Sequence, residues 1–156
     1  MSTPRVFVIR HGETEWSLNG RHTSTTELPL TPDGERRIRA TGRALVGNDR
    51  LLVPEKIAHI YVSPRRRAQQ TLSLLNISLN QPHPCHAETT ITPLIEEWNY
   101  GSYEGLTSPQ IRALRSSKGI VEKGPQWDIW RDGCEGGESP EDVTKRVDEL
   151  IAEIRE

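Results

Sequence analysis

Arg10-His11-Gly12 sets a cation, an imidazole and a glycine side by side, directly after the apolar run Arg5-Val6-Phe7-Val8-Ile9. That β-branched run reads as a buried strand of a parallel sheet. The carboxyl end of such a strand is where open α/β sheets bind ligands. The plain alternative is a polar strand exit with a glycine turn, and the partners further along the chain favour a site. A neighbouring cation favours the neutral imidazole, and a neutral ring nitrogen is what a nucleophile needs. His11 is therefore a candidate for covalent catalysis.

Arg65, Arg66 and Arg67 form the tight basic cluster of the chain. A solvated helix start is the bland reading, and it is expected to hold for at least one of them. The functional expectation is that one guanidinium reaches back over the sheet's edge and joins Arg10 around an anion. Guanidinium forks and helix N-termini both suit phosphate. Glu96 and Glu97 read either as surface acids or as a proton donor to a leaving oxygen beside that anion. The group His83-Pro84-Cys85-His86 matches no common zinc spacing, and no second ligand pair accompanies it, so no metal is expected. Trp16, Trp98, Trp127 and Trp130 read as core or cleft walls, because no basic groove accompanies them as it would in a nucleic-acid platform.

These residues need a scaffold that brings distant stretches together. Thr31-Pro32-Asp33-Gly34-Glu35 predicts a helix start with Thr31 as cap, and Gly47-Asn48-Asp49 a stop. A second buried strand is expected at Ile57–Val62, then a helix capped by Ser63-Pro64. Strand, helix, strand, helix is the order of a parallel α/β sheet. Glu15–Leu30 and Gln81–Ala87 read as loops, Glu88–Leu94 as strand-like, and Gly119–Gly137 as irregular. Ser108-Pro109 opens a short helix around Gln110–Ser116, on which Arg112, Arg115 and Lys118 read as an exposed face. Ser139-Pro140-Glu141-Asp142 caps a last helix with Val143, Val147, Leu150, Ile151 and Ile154 at helical spacing.

The totals bound the partners. The 156 residues suit one domain spanning 1–156, and a net charge of −2 with mixed signs disfavours nucleic acid and membrane surfaces. No apolar run approaches a membrane helix or a signal peptide. Cys85 and Cys134 are expected to be free thiols in a reducing cytosol. Hydrophobic residues are 33% of the chain, low for a compact domain, and core strands absent from the sequence would account for it.

Arg10-His11-Gly12-Glu13-Thr14, followed by Glu15-Trp16, resembles the signature of the histidine phosphatase superfamily, also called phosphoglycerate mutase-like. The likeness continues in order. Leu30-Thr31-Pro32-Asp33-Gly34-Glu35 resembles the family's first helix start, and Ser63-Pro64-Arg65-Arg66-Arg67-Ala68-Gln69-Gln70-Thr71 its second-arginine motif. Glu97, four places before Gly101, matches the family's acid. The tract Trp127–Glu135 is similar to fungal sedoheptulose-1,7-bisphosphatases in particular.

The resemblance implies a three-layer α/β sandwich with a mostly parallel sheet, lacking the family's C-terminal strands. It implies a metal- and cofactor-independent phosphatase for a sugar bisphosphate. His11 would attack phosphorus, Arg10, Arg67 and Thr23 would hold the phosphoryl oxygens, and Glu97 would protonate the leaving oxygen. His22 and Tyr100 match positions that line the substrate pocket. The family's second catalytic histidine has no match here. Its strand would lie beside the first one inside the sheet, so a fragment of an active enzyme is the expectation. A phosphoglycerate mutase and an inactive phosphate-binding relative are the alternatives.

Overall fold

The computed structural model describes residues 5–77 and 86–155. His83, Pro84 and Cys85, and with them the expected metal-free group and most of the Gln81–Ala87 loop, lie outside the described residues. Thr14 caps the first element, α1 (Glu15–Asn19), through a reciprocal pair with Ser17. This short helix lies where a loop was expected. Thr31 caps α2 (Pro32–Leu45) as its sequence predicts, with its hydroxyl accepting the Gly34 amide at 2.9 Å. Pro32 takes the first helical turn, where its missing N–H leaves no bond unmade.

The strand expected over Ile57–Val62 forms at its C-terminal part as β1 (His59–Val62). It pairs in parallel with β2 (Glu88–Ile91), with His59 opposite Glu88 and Val62 opposite Ile91. Between them runs α3 (Arg66–Leu75), which packs on α2. Together they form the helix-linked parallel unit that the element order predicts. Ser63 is not the helix cap. Arg65 occupies that position without a side-chain bond, and the Ser63 hydroxyl instead accepts the Arg65 amide at 3.3 Å.

The first predicted strand is a correction. Among the described residues the sheet consists of β1 and β2, and residues 5–9 join no ladder. Val6 is 71% exposed and Val8 93%. Apolar, β-branched residues favour a pleated surface, but a strand exists only where a second backbone faces its amides and carbonyls. No described segment does so here.

Further on, α4 (Ser108–Ser117) starts at a capping box between Thr107 and Gln110. Arg115 is not part of an exposed face. It is buried, and its guanidinium donates to both Glu122 oxygens and to the Tyr103 hydroxyl, each at 2.7 Å. A short turn, α5 (Ile129–Asp132), interrupts the stretch read as irregular. The final helix, α6 (Pro140–Arg155), opens on Ser139 and Asp142 exchanging bonds. Of its five apolar positions Leu150 is the buried one, while Ile151 and Ile154 stay exposed.

One core cluster gathers Trp98, Tyr100, Tyr103, Ile111, Trp127 and Cys134. A second gathers Val46, Leu52, Leu75 and Ile77 beneath α2 and α3. Burial pushes the Cys134 thiol up to about 12, so it is a packed, protonated side chain. Trp98 and Trp127 are core as expected. Trp130 is not, standing 73% exposed with its ring edge-on to Trp98.

Candidate active site

His11 sits at the exit of the N-terminal run with its Nδ1 2.7 Å from the Gly12 carbonyl. A carbonyl can only accept, so Nδ1 carries the proton and Nε2 keeps its lone pair in the neutral ring. Burial lowers the His11 pKa most, and the positive charges of Arg67 and Arg10 lower it further. The Gly12 carbonyl and the Glu97 carboxylate pull the other way without reversing it. The structure thus brings the fields of Arg10, Arg67 and Glu97 together at one imidazole.

The turn under His11 is held from α3. The Gly12 amide donates to the Thr71 hydroxyl at 2.9 Å, and that hydroxyl donates to the Arg67 carbonyl at 2.7 Å. A side chain at position 12 would crowd its apolar neighbours, which would have to shift. A Cβ at position 12 would stand 2.9 Å from Ile38 Cγ1 and 3.0 Å from Leu30 Cδ1.

The three clustered arginines separate by environment. Arg66 is exposed, as the bland reading has it for at least one. Arg65 bridges Glu27 at 3.3 Å and Glu96 at 2.8 Å. Arg67 is 2% exposed and donates to the carbonyls of Thr26, Thr23 and Ser24 at 3.3, 3.1 and 3.2 Å. Burial lowers its pKa from the usual arginine range, opposed by Glu97 and other acids, and the guanidinium stays charged at neutral pH. Arg10 is exposed, and its charge acts on the His11 ring.

Glu96 and Glu97 separate in the same way. Glu96 is taken up by Arg65. Glu97 is exposed, its Oε1 accepting the Trp98 amide at 2.9 Å and the Tyr100 hydroxyl at 3.4 Å. Tyr100 is buried, and burial together with the Glu97 charge raises its pKa, so it remains a donor.

His22 stacks at a tilt on Tyr100, ring centroids 4.6 Å apart, with the edge of Trp127 at 6.1 Å. Its Nε2 is 3.2 Å from the Ser108 hydroxyl. Burial lowers its pKa against the pull of Glu97 and Glu104. Thr23 presents its carbonyl to Arg67, and its hydroxyl makes only a long bond, 3.5 Å, to the Arg21 carbonyl. His11, Arg10, Arg67, Glu97, His22, Thr23 and Tyr100 therefore belong to one linked neighbourhood, reached from four separate stretches of chain.

Sequence reasoning passed over Ser24 and Glu104. The Glu104 carboxylate accepts the Ser24 amide, the Ser24 hydroxyl and the Thr26 amide. The available signal was an acid set between Gly101 and Gly105 with no basic residue near it in sequence. Thr71 stood within the second-arginine motif, but its bond to Gly12 spans 59 positions. Among the described residues no group of three or more His, Cys, Asp or Glu side chains is arranged to hold a metal.

The chain is similar to known proteins along nearly its whole length. It is 41% identical over 153 residues to a sedoheptulose 1,7-bisphosphatase of Saccharomyces cerevisiae, covering 98% of this chain and 56% of that protein. It is 30% identical over 150 residues to a 2,3-bisphosphoglycerate-dependent phosphoglycerate mutase of Gloeobacter violaceus, covering 90% of this chain and 58% of that one. A solved structure from Mycobacterium tuberculosis superposes with a TM-score of 0.66 at 38% identity, over 91% of this chain and 62% of its own. The chain thus spans less than two thirds of the length of these relatives. Its α/β fold is shared with that solved structure. The profile of the histidine phosphatase superfamily (branch 1) matches residues 6–156, and the chain belongs to that superfamily.

Proposed function

We propose that the protein hydrolyses a phosphate monoester of a small sugar bisphosphate, of the sedoheptulose 1,7-bisphosphate type, through a phosphohistidine. The observation that carries this reading is the His11 ring: Nδ1 is tied to Gly12 and Nε2 has no bond among the described residues, in the field of a buried guanidinium and an exposed carboxyl group.

Nε2 of His11 attacks phosphorus, the N–P bond forms, and the P–O bond to the sugar breaks. Glu97 is assigned as the acid that gives a proton to the departing oxygen. Water then attacks the phosphohistidine, Glu97 takes the proton back, and phosphate leaves with His11 restored. In a loose phosphoryl transfer the charge lies on the equatorial oxygens, so positioning and electrostatics dominate. Arg10, Arg67 and Thr23 are assigned to those oxygens. His22 and Tyr100 are assigned to the sugar side of the pocket.

Hydrolysis is favoured over a mutase reaction by the fate of the nearby cations. A phosphoglycerate mutase needs further positive charge for the substrate carboxylate. Of Arg112, Arg115 and Lys118, two are committed, Arg115 to Glu122 and Tyr103 and Lys118 to Glu135, while Arg112 is exposed. No helix among the described residues is long and apolar enough to cross a membrane. A phosphorylated sugar as partner and a cytoplasmic location complete the proposal.

The test compares wild type with His11→Ala on sedoheptulose 1,7-bisphosphate and on a chromogenic phosphate ester, with EDTA present. Phosphate release by wild type alone is expected. Equal rates in the two proteins would overturn the mechanism, and phosphoglycerate isomerisation without phosphate release would favour the mutase.

A further inference from the structure

The segment from His22 to Thr26 is gripped from two sides. Arg67 donates to its carbonyls at Thr23, Ser24 and Thr26. On the amide side stands Glu104, whose carboxylate accepts the Ser24 amide at 3.0 and 2.9 Å, the Ser24 hydroxyl at 2.6 Å and the Thr26 amide at 3.0 Å. A cation on the carbonyls and an anion on the amides fix the peptide planes in one orientation. Ser24, at 2% exposure, also accepts the Tyr100 amide at 3.3 Å, which ties the segment to the stretch that carries Glu97.

Glu104 itself has a firm base. It follows the turn Gly101–Tyr103, and its neighbours on both sides are pinned. Gly101 has a φ of +50° and sits where a Cβ would be 2.4 Å from Gly136 and Gly137 backbone atoms. Gly105 lies against the Trp16 ring and donates its amide to the His22 carbonyl at 2.8 Å. Hydrogen bonding to Ser24 and Thr26 holds the carboxyl below its usual range despite burial, so the group is an anion at neutral pH.

Taking the proposed phosphatase reading as its basis, we infer that Glu104 is a positioning residue: through Ser24 and Thr26 it sets the segment that presents His22 and Thr23 to the substrate and braces Arg67 for the phosphoryl group. It touches no reacting atom. Glu104→Gln keeps one acceptor oxygen but loses the charge and puts an NH₂ group against amide donors. The segment and Arg67 then lose their common orientation, and ground-state affinity for the phosphoryl group falls.

The experiment measures the dissociation constant of inorganic phosphate by NMR titration for wild type, Glu104→Gln and Ser24→Ala, together with kcat and KM on a chromogenic phosphate ester and the thermal midpoint of each. In Glu104→Gln the phosphate Kd and the KM are expected to rise about tenfold, with a smaller rise in the same direction for Ser24→Ala. A merely structural role would reduce the folded fraction, lowering kcat with KM and Kd unchanged, and that result overturns the inference. Wild type that binds phosphate without turnover defeats the phosphatase reading but leaves Glu104 to be judged by the Kd ratio. Wild type that binds no phosphate defeats both.

Discussion

The Thr71 hydroxyl accepts the Gly12 amide at 2.9 Å across 59 positions of sequence, fastening the turn beside His11 to the helix that begins next to Arg67. The same hydroxyl donates to the Arg67 carbonyl at 2.7 Å. A single β-branched side chain thereby ties the turn beside His11 to the backbone of Arg67. Thr71→Val retains the shape and removes both bonds, leaving the buried Gly12 amide unsatisfied. The expected loss is about 1–3 kcal/mol of stability, read by urea denaturation. A fall in kcat/KM larger than the fall in folded fraction should accompany it. Thr71→Ser should retain most of both.

Arg67 and Arg66 are adjacent in sequence and opposite in consequence. Arg67→Ala strips the donor from three carbonyls of the His22–Thr26 segment and is expected to cost about 3 kcal/mol or more, with loss of phosphate binding. Arg66→Ala removes an exposed side chain while its backbone amide keeps Glu27. It should stay within about 0.5 kcal/mol of wild type. Paired denaturation curves and phosphate titrations check both.

The two half-buried histidines predict an acid limb in stability. Both His11 and His22 have pKa values lowered from 6.5 by burial. Between the folded values and 6.5 the unfolded chain binds more protons than the folded one, so stability rises with pH through that window. It is fully present above 6.5 and is lost as pH falls through the folded values. His22→Asn should flatten part of this slope. Arg10→Gln should raise the His11 midpoint, since the Arg10 charge lowers it. Ring-proton NMR titration measures both midpoints directly.

The proposed double duty of Glu97 predicts a split by leaving group. Nitrophenolate leaves without a proton, whereas a sugar alkoxide needs one. Glu97→Gln should therefore lose roughly 10²–10⁴ in rate on a sugar phosphate. On p-nitrophenyl phosphate it should release a burst of nitrophenolate and then stall, because water attack on the phosphohistidine lacks its base. Rapid-mixing absorbance records the burst. Equal losses on both substrates, with no burst, would remove Glu97 from its assigned role.

Much of the scaffold was legible because it is locally encoded. The Thr31-Pro32 helix start, the Ser139–Asp142 cap and the β1–α3–β2 order rest on signals within a few residues of each other. The failures are of a different kind. Val6–Ile9 reads as a strand by side-chain type, yet pairing depends on a second backbone that no local pattern reports. Arg115 read as surface because helical spacing does not reveal Glu122 and Tyr103 closing over it. In the site, His11, Arg67 and Glu97 could be named from motif order, and the structure brings them to one neighbourhood. Glu104 could not, because its meaning lies in bonds to Ser24 and Thr26, 80 and 78 positions away.

The central claim is a covalent phosphate on His11. Wild-type protein mixed with the sugar bisphosphate, quenched in alkali and digested, should yield one phosphorylated peptide, the one containing His11. That phosphate should survive alkali, vanish in acid, and be absent from His11→Ala. Phosphate release by wild type with no labelled His11 peptide, or with the label on another residue, would contradict the account.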